Sequence, residues 1–292
     1  MTIISASRRT DIPAWYSRWF MERVRAGFCE VANPFNGKTE RVPLGVADVD
    51  GIVFWTRDPR PMLHAGFEEL RAMGFGFYVQ QTILGYPELF DPRSPSAKKA
   101  AAAAREVTRR FGPRALVWRY DPVILTSATD TAWHVRNFEA ILSMLEGAAD
   151  TCVVSFVDHY RKLDRNFYPL LEKNGVELFS PQPAELRGLR RELAARARAA
   201  GAALTTCCEP EFADVVEAPA GSCVDVARME AVTGNHLTGA PPRPTRAGCR
   251  CAASKDIGAY DTCPAGCAYC YANRSPEAAM KNFRRGPRGA SL

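Results

Sequence analysis

Short apolar runs rich in β-branched and aromatic residues alternate with longer segments of helical periodicity through most of the chain. "IISAS" at 3–7 precedes the helix-like "AWYSRWFMERVRAG", "VDGIVFWT" at 49–56 precedes "PMLHAGFEELRAMG", and "FGFYVQQT" at 75–82 precedes the alanine-rich "SAKKAAAAAREVTRRFG". "ALVWRYDP" with "TAWHVRNFEAILSMLEGA", then "TCVVSF", "GVELFS" with an arginine-rich helix, and "AALTTCCE" continue the series. This is the pattern of βα units feeding a parallel sheet. Adding "FCEVANPF" at 28–35 gives about eight strand candidates, the number that a closed (β/α) barrel needs. No G-x-G-x-x-G opens a helix, which speaks against an open dinucleotide-binding sheet. The expected fold class is α/β: a TIM-like (β/α) barrel over residues 1–240, followed by a cysteine-rich segment over 241–292 packed at the barrel mouth.

Several strand candidates end in polar groups: Arg8, Arg9 and Asp11; Trp55, Thr56 and Arg57; Gln80, Gln81 and Thr82; Arg119, Tyr120 and Asp121; Asp158 and His159. In a barrel these ends converge on one mouth, where active sites are built. Arg9, Asp11, Arg119 and Asp121 are candidate catalytic residues facing that mouth. Arginine there can grip a carboxylate with two parallel hydrogen bonds, and aspartate can accept from an ammonium or a hydroxyl. Arg57 and Gln81 are candidate cofactor-binding residues. For any single member a bland reading, such as an Arg119–Asp121 salt bridge, competes on equal terms.

The 292 residues are 47% hydrophobic and 24% charged, which suits a globular chain with one substantial core. The start "MTIISASRRTDIP" lacks a secretory pattern, and no run approaches the ~18 apolar residues of a membrane span, so a cytoplasmic protein without membrane contact is expected. The formal charge of +6 is a weak clue, since metal-bound cysteines would be thiolates. In "RGLRRELAARARAAG" at 187–201 the arginines read first as the solvated face of a helix that buries Leu186, Leu189 and Leu193, with nucleic-acid contact as the alternative. Trp15, Trp19 and Phe20 read as helix core, and the tail "KNFRRGPRGASL" as frayed.

Six of the ten cysteines follow residue 220, and in a reducing compartment such clustering reads as metal ligation or reactive thiols rather than disulfides. Cys29 and Cys152 fall inside strand patterns and read as core. Cys263, Cys267 and Cys270 form a C-x3-C-x2-C triplet. Zinc takes four ligands, commonly in C-x2-C pairs, whereas three thiolates can hold three irons of a [4Fe–4S] cluster and leave the fourth iron open. Cys207, preferred to Cys208 because "TTC" continues the strand, joins Cys223, Cys249 and Cys251 as a candidate second set of metal ligands. That set suits a second [4Fe–4S] cluster, a zinc ion, or no metal at all.

Cys263, Cys267, Tyr269 and Cys270 complete a C-x3-C-x-aromatic-C pattern that resembles the motif of radical S-adenosylmethionine (SAM) enzymes. The resemblance implies that the open iron binds the amino and carboxylate groups of SAM, with Tyr269 in the cofactor-binding loop. It also implies reduction by a flavodoxin or ferredoxin, and a 5'-deoxyadenosyl radical that abstracts hydrogen from a substrate still to be identified. The sequence departs from that superfamily in position: there the triplet follows the first barrel strand, and here it follows the last. First strand and last element are neighbours in a closed barrel, so a C-terminal loop can reach the same mouth. Through "ISASRRTDIP", "VFWTRDP", "WRYDP" and "SKDIGAYDTCPAGCAYCYAN" the chain also looks like an uncharacterised bacterial domain-of-unknown-function family, grouped with spore-photoproduct-lyase-like radical SAM proteins. The competing reading is a non-catalytic Fe–S or zinc protein that binds nucleic acid or a protein partner.

Overall fold

The computed structural model describes residues 2–209, 220–237 and 241–292. The chain opens with β1 (Thr2–Ala6), followed by an antiparallel hairpin of β2 (Phe28–Ala32) and β3 (Thr39–Pro43). Then come β4 (Val49–Thr56), β5 (Phe77–Thr82), β6 (Leu116–Val123), β7 (Thr151–Phe156), β8 (Ala203–Thr206) and β9 (Lys255–Asp256). Apart from the hairpin, these strands make one seven-stranded sheet in the order β8-β7-β6-β5-β4-β1-β9, and each neighbouring pair is parallel. A strand buried on both faces reads as a continuous apolar run, and "GIVFW" within β4 is such a run.

Two expected strands are placed differently. "FCEVANPF" supplies β2, which pairs with β3 outside the main sheet, because its alternating burial leaves one face to solvent. "GVELFS" makes only an isolated bridge, Leu178 to Thr126. The seventh strand is β9, two polar residues with no apolar pattern to announce it. Among the described residues no ladder joins β8 to β9, so the pairing is an open order of seven rather than the eight-stranded closure expected.

The two faces of the sheet differ. One packs the helices: Ile4, Ile52, Phe54, Phe77, Val79, Trp118, Tyr120 and Val154 meet the buried stripes of helices Ser17–Arg25, Ala97–Phe111, Thr131–Leu145 and Pro183–Ala199. Alanines 100, 101, 103 and 104 bring helix Ala97–Phe111 close, and Ser96 caps its N-terminus. Cys29 and Cys152 lie fully buried in this layer, as do Trp19 and Phe20. The other face carries Ile3, Val53, Tyr78, Val117 and Val153, covered by Cys223, Val224, Met229, Cys251 and Ala252. Gly51 is needed here, since a Cβ on it would run into the Met229 side chain.

The boundary expected at residue 240 falls in 238–240, outside the described residues. Both flanks join the same body: Cys223–Met229 and Cys251–Ala252 cover the inner face, and Lys255–Asp256 enters the sheet. The tail is not frayed. Glu30 donates to Ala290 O, Trp19 Nε1 donates to Gly289 O, and Leu292 packs on the core. In helix Pro183–Ala199, Arg196 is paired with Glu139 and Glu192, and Arg190 is buried beside Phe156. No helix among the described residues is long and apolar enough to cross a membrane.

Candidate functional site

The loop carrying Cys263, Cys267 and Cys270 starts seven residues after β9, whose pairing with β1 (Ile4 with Lys255, Ser5 with Asp256) sets it beside the C-terminal end of β1. Asp256 fastens the junction, accepting from Ser5 Oγ (2.8 Å), Ser7 Oγ (2.6 Å), Arg8 N (2.8 Å) and Gly258 N (3.0 Å). Further ties fix the loop: Tyr16 Oη donates to Thr262 O, Asn273 Nδ2 to Cys263 O, Arg93 Nη1 to Pro264 O and Tyr160 Oη to Tyr269 O. Gly266 turns the chain with φ 76°, where a Cβ would meet the Arg93 guanidinium.

The three thiols stand within electrostatic range of one another and are met by donors. Cys263 accepts from the amides of Ala265 and Asp11, Cys270 from those of Ala272 (3.3 Å) and Asn273, and Cys267 faces Arg57. Burial nevertheless pushes the thiols up, Cys263 to about 12, so that a bound metal rather than local charge would have to deprotonate them. Two polar atoms beside the loop, Thr10 Oγ1 and Asn273 Oδ1, are buried without a hydrogen-bond partner, as is Arg8 Nη2.

The other expected site residues divide. Asp11 and Arg9 come to this loop. Asp11 caps helix Ile12–Trp15 by accepting from Ala14 N, accepts from Arg57 N as well, and is raised to about 6 by burial. Arg9 lies over the Tyr260 ring, 5.1 Å from its centroid, with Asp256 at 3.9 Å. Tyr269 is buried, and its phenol is committed to protein: it donates to Asp91 and accepts from Arg57, which itself pairs with Asp91 at 2.8 Å. Gln81 goes elsewhere. It faces the helix layer and donates to Ala100 O at 2.9 Å, because along β5 its neighbour Gln80 takes the inner face.

Arg119 and Asp121 form the salt bridge of the bland reading, extended by Ser155 Oγ donating to Asp121. They stand against the second cysteine set, with Arg119 Nη1 3.0 Å from Cys223 Sγ. That set converges: Cys207 Sγ is 3.6 Å from Cys223 Sγ, Cys251 Sγ accepts from Val224 N at 3.4 Å, and Cys207 and Cys249 border the same buried patch. Among the described residues no three His, Cys, Asp or Glu side chains are drawn together tightly enough to hold a single metal ion. A cavity of about 380 Å³ opens beside Arg57 and Asp91, lined also by Thr82, Gly85, Tyr86 and Asn137.

The family model described as a domain of unknown function, DUF1848, matches residues 3–272, from β1 to just beyond the third cysteine of the loop. The chain belongs to this family. No curated protein matches the chain. The family's span takes in β9 and both cysteine sets, so the return of the C-terminal segment to β1 lies inside the family's extent.

Asp256 and Asp91 were not signalled by the sequence. Asp256 sits in a two-residue strand, and Asp91 lies in a loop, "PELFDPRS", whose proline and serine give only a turn. Gln80 was visible at a strand end, but only the pleat decides between it and Gln81.

Proposed function

We infer that the protein is a radical SAM-type iron–sulfur enzyme acting on a small-molecule substrate, with Cys263, Cys267 and Cys270 holding a [4Fe–4S] cluster at its open-iron site. The observation that carries this reading is the β1–β9 pairing, which sets a C-terminal triplet beside the end of the first strand. That is where the superfamily it resembles carries its triplet in sequence. The singly wound order β1-β4-β5-β6-β7-β8, with β9 returning beside β1, is also the order of a (β/α) barrel with its seam between β8 and β9.

The donor set fits the group. Three thiols in one ordered loop, each met by an amide or a cation, suit three irons, and the unpartnered Thr10 Oγ1, Asn273 Oδ1 and Arg8 Nη2 leave polar capacity beside the loop for an amino-acid ligand. When bound and reduced, such a cluster supplies the electron that cleaves SAM to a 5'-deoxyadenosyl radical. The chain's own residues do the positioning. Asp256 holds the loop to β1, the Tyr269–Asp91–Arg57 network locks its third cysteine, and Arg57 and Asp91 place the cavity next to the cluster site.

Electron paramagnetic resonance of the anaerobically reconstituted, dithionite-reduced protein tests the reading. Addition of SAM is expected to change the spectrum of the cluster, because SAM would bind its open iron. A spectrum identical with and without SAM would contradict the open-iron site.

A further inference from the structure

Cys207, Cys223, Cys249 and Cys251 pack on the inner face of the sheet, in a different buried cluster from the Cys267 and Tyr269 loop. We propose that these four residues ligate a second, fully coordinated [4Fe–4S] cluster, with the buried guanidinium of Arg119 aimed at it as a positioning and tuning group.

Three separate stretches of chain bring the thiols together: the end of β8, the turn at 220–224 and the Cys249–Cys251 pair. Ile3, Val53, Tyr78, Val117, Val153 and Met229 form an apolar floor and cover, with Cys223 and Cys251 buried in it and Cys207 and Cys249 at its edge. The backbone of Cys223 is fixed from below, since Tyr78 Oη (2.7 Å) and Gln80 Nε2 (2.9 Å) both donate to its carbonyl. Cys208, the adjacent alternative, contacts Cys207, but its backbone is in the left-handed region at φ 61° and it is not part of the buried apolar patch.

A single zinc with Zn–S bonds of ~2.3 Å needs four sulfurs ~3.8 Å apart around one point. Cys223 stands 3.6 Å from Cys207 and also contacts Cys251, yet among the described residues no three ligands close on one point. In a four-iron cluster each thiolate binds a different iron, so binding would draw these touching sulfurs apart around the cubane. Arg119 supplies an independent observation. It is 6% exposed, and beside its contacts with Asp121 and Gln80 Oε1 (3.2 Å) its guanidinium donates to Cys223 Sγ at 3.0 Å. An N–H···S bond from a buried cation stabilises an anionic cluster, and most of all its reduced form. The nearby charged groups are Asp121 beside Arg119, Arg246 with Nη2 3.9 Å from Cys207 Sγ, Asp158 paired with Arg246, and Arg8 near Cys251.

Metal content and spectroscopy on the full chain test the proposal, and it stands or falls separately from the SAM reading. After anaerobic reconstitution the wild type should hold ~8 irons, the Cys263/Cys267/Cys270 triple-alanine variant ~4, and a Cys223→Ser/Cys251→Ser variant ~4, since each cubane holds four. The cluster kept by the triple variant should be indifferent to SAM. In that background Arg119→Met should move its reduction potential to more negative values, and Arg119→Lys should restore most of the shift. A wild type with ~4 irons and a triple variant with none, or with one zinc, would overturn the second cluster while leaving the first intact. An unchanged potential in Arg119→Met would overturn the role given to Arg119.

Discussion

Ser5 and Asp256 lie opposite each other in the parallel β1–β9 pair, and the Ser5 hydroxyl donates to the Asp256 carboxylate at 2.8 Å. Two residues 251 positions apart thereby fasten the cysteine loop to the first strand. Asp256→Ala would leave two hydroxyls and two amides without their acceptor, at a cost of ~2–4 kcal/mol. The expected result is a melting temperature lower by several degrees together with reduced iron loading, and Asp256→Asn should fall between. Full iron loading with unchanged melting in Asp256→Ala would remove this role.

Arg57 and Asp91 form a buried ion pair that Tyr269 bridges. Arg57→Ala strands a carboxylate whose side chain is 4% exposed, which costs ~3–5 kcal/mol, whereas Tyr269→Phe removes one hydroxyl for ~1–3 kcal/mol. Thermal denaturation of the two variants should therefore show the larger loss in Arg57→Ala. The reverse order would mean that the aromatic position, not the pair, holds the loop.

His134 is fully buried between Tyr120 Oη and Ile124 O, and burial depresses it to about 4 from its ordinary 6.5. The unfolded chain then takes up a proton at higher pH than the folded one. Stability from this group is complete above pH ~6.5, falls as the pH drops towards 4 and levels off below, for a total of roughly 3 kcal/mol. Melting temperature against pH should be flatter over that window in His134→Gln than in the wild type. Parallel curves would show that His134 does not titrate in this way.

Six of the seven strands in the main sheet were readable from apolar runs, because burial on both faces leaves a continuous β-branched and aromatic pattern. The seventh, Lys255–Asp256, was not, since its pairing depends on hydrogen bonds from Ser5 and Ser7 and on no buried side chain of its own pattern. Cys263, Cys267 and Cys270 were legible as a set because their spacing is local. Arg119 and Asp121 were legible as functional types but not as neighbours of Cys223, a contact across 104 positions that only the fold creates. Gln81 was misplaced for want of one fact, which face of β5 turns inward.

Reductive cleavage of SAM by the triplet variants tests the central claim most directly. The reconstituted wild type, given dithionite and SAM under anaerobic conditions, is expected to release 5'-deoxyadenosine, and Cys263→Ala, Cys267→Ala and Cys270→Ala are each expected to release none while keeping a folded far-ultraviolet circular dichroism spectrum, because the thiolates hold the cluster and the core is built elsewhere. An iron-loaded wild type that releases no 5'-deoxyadenosine, or any of the three variants releasing it at the wild-type level, would contradict the account.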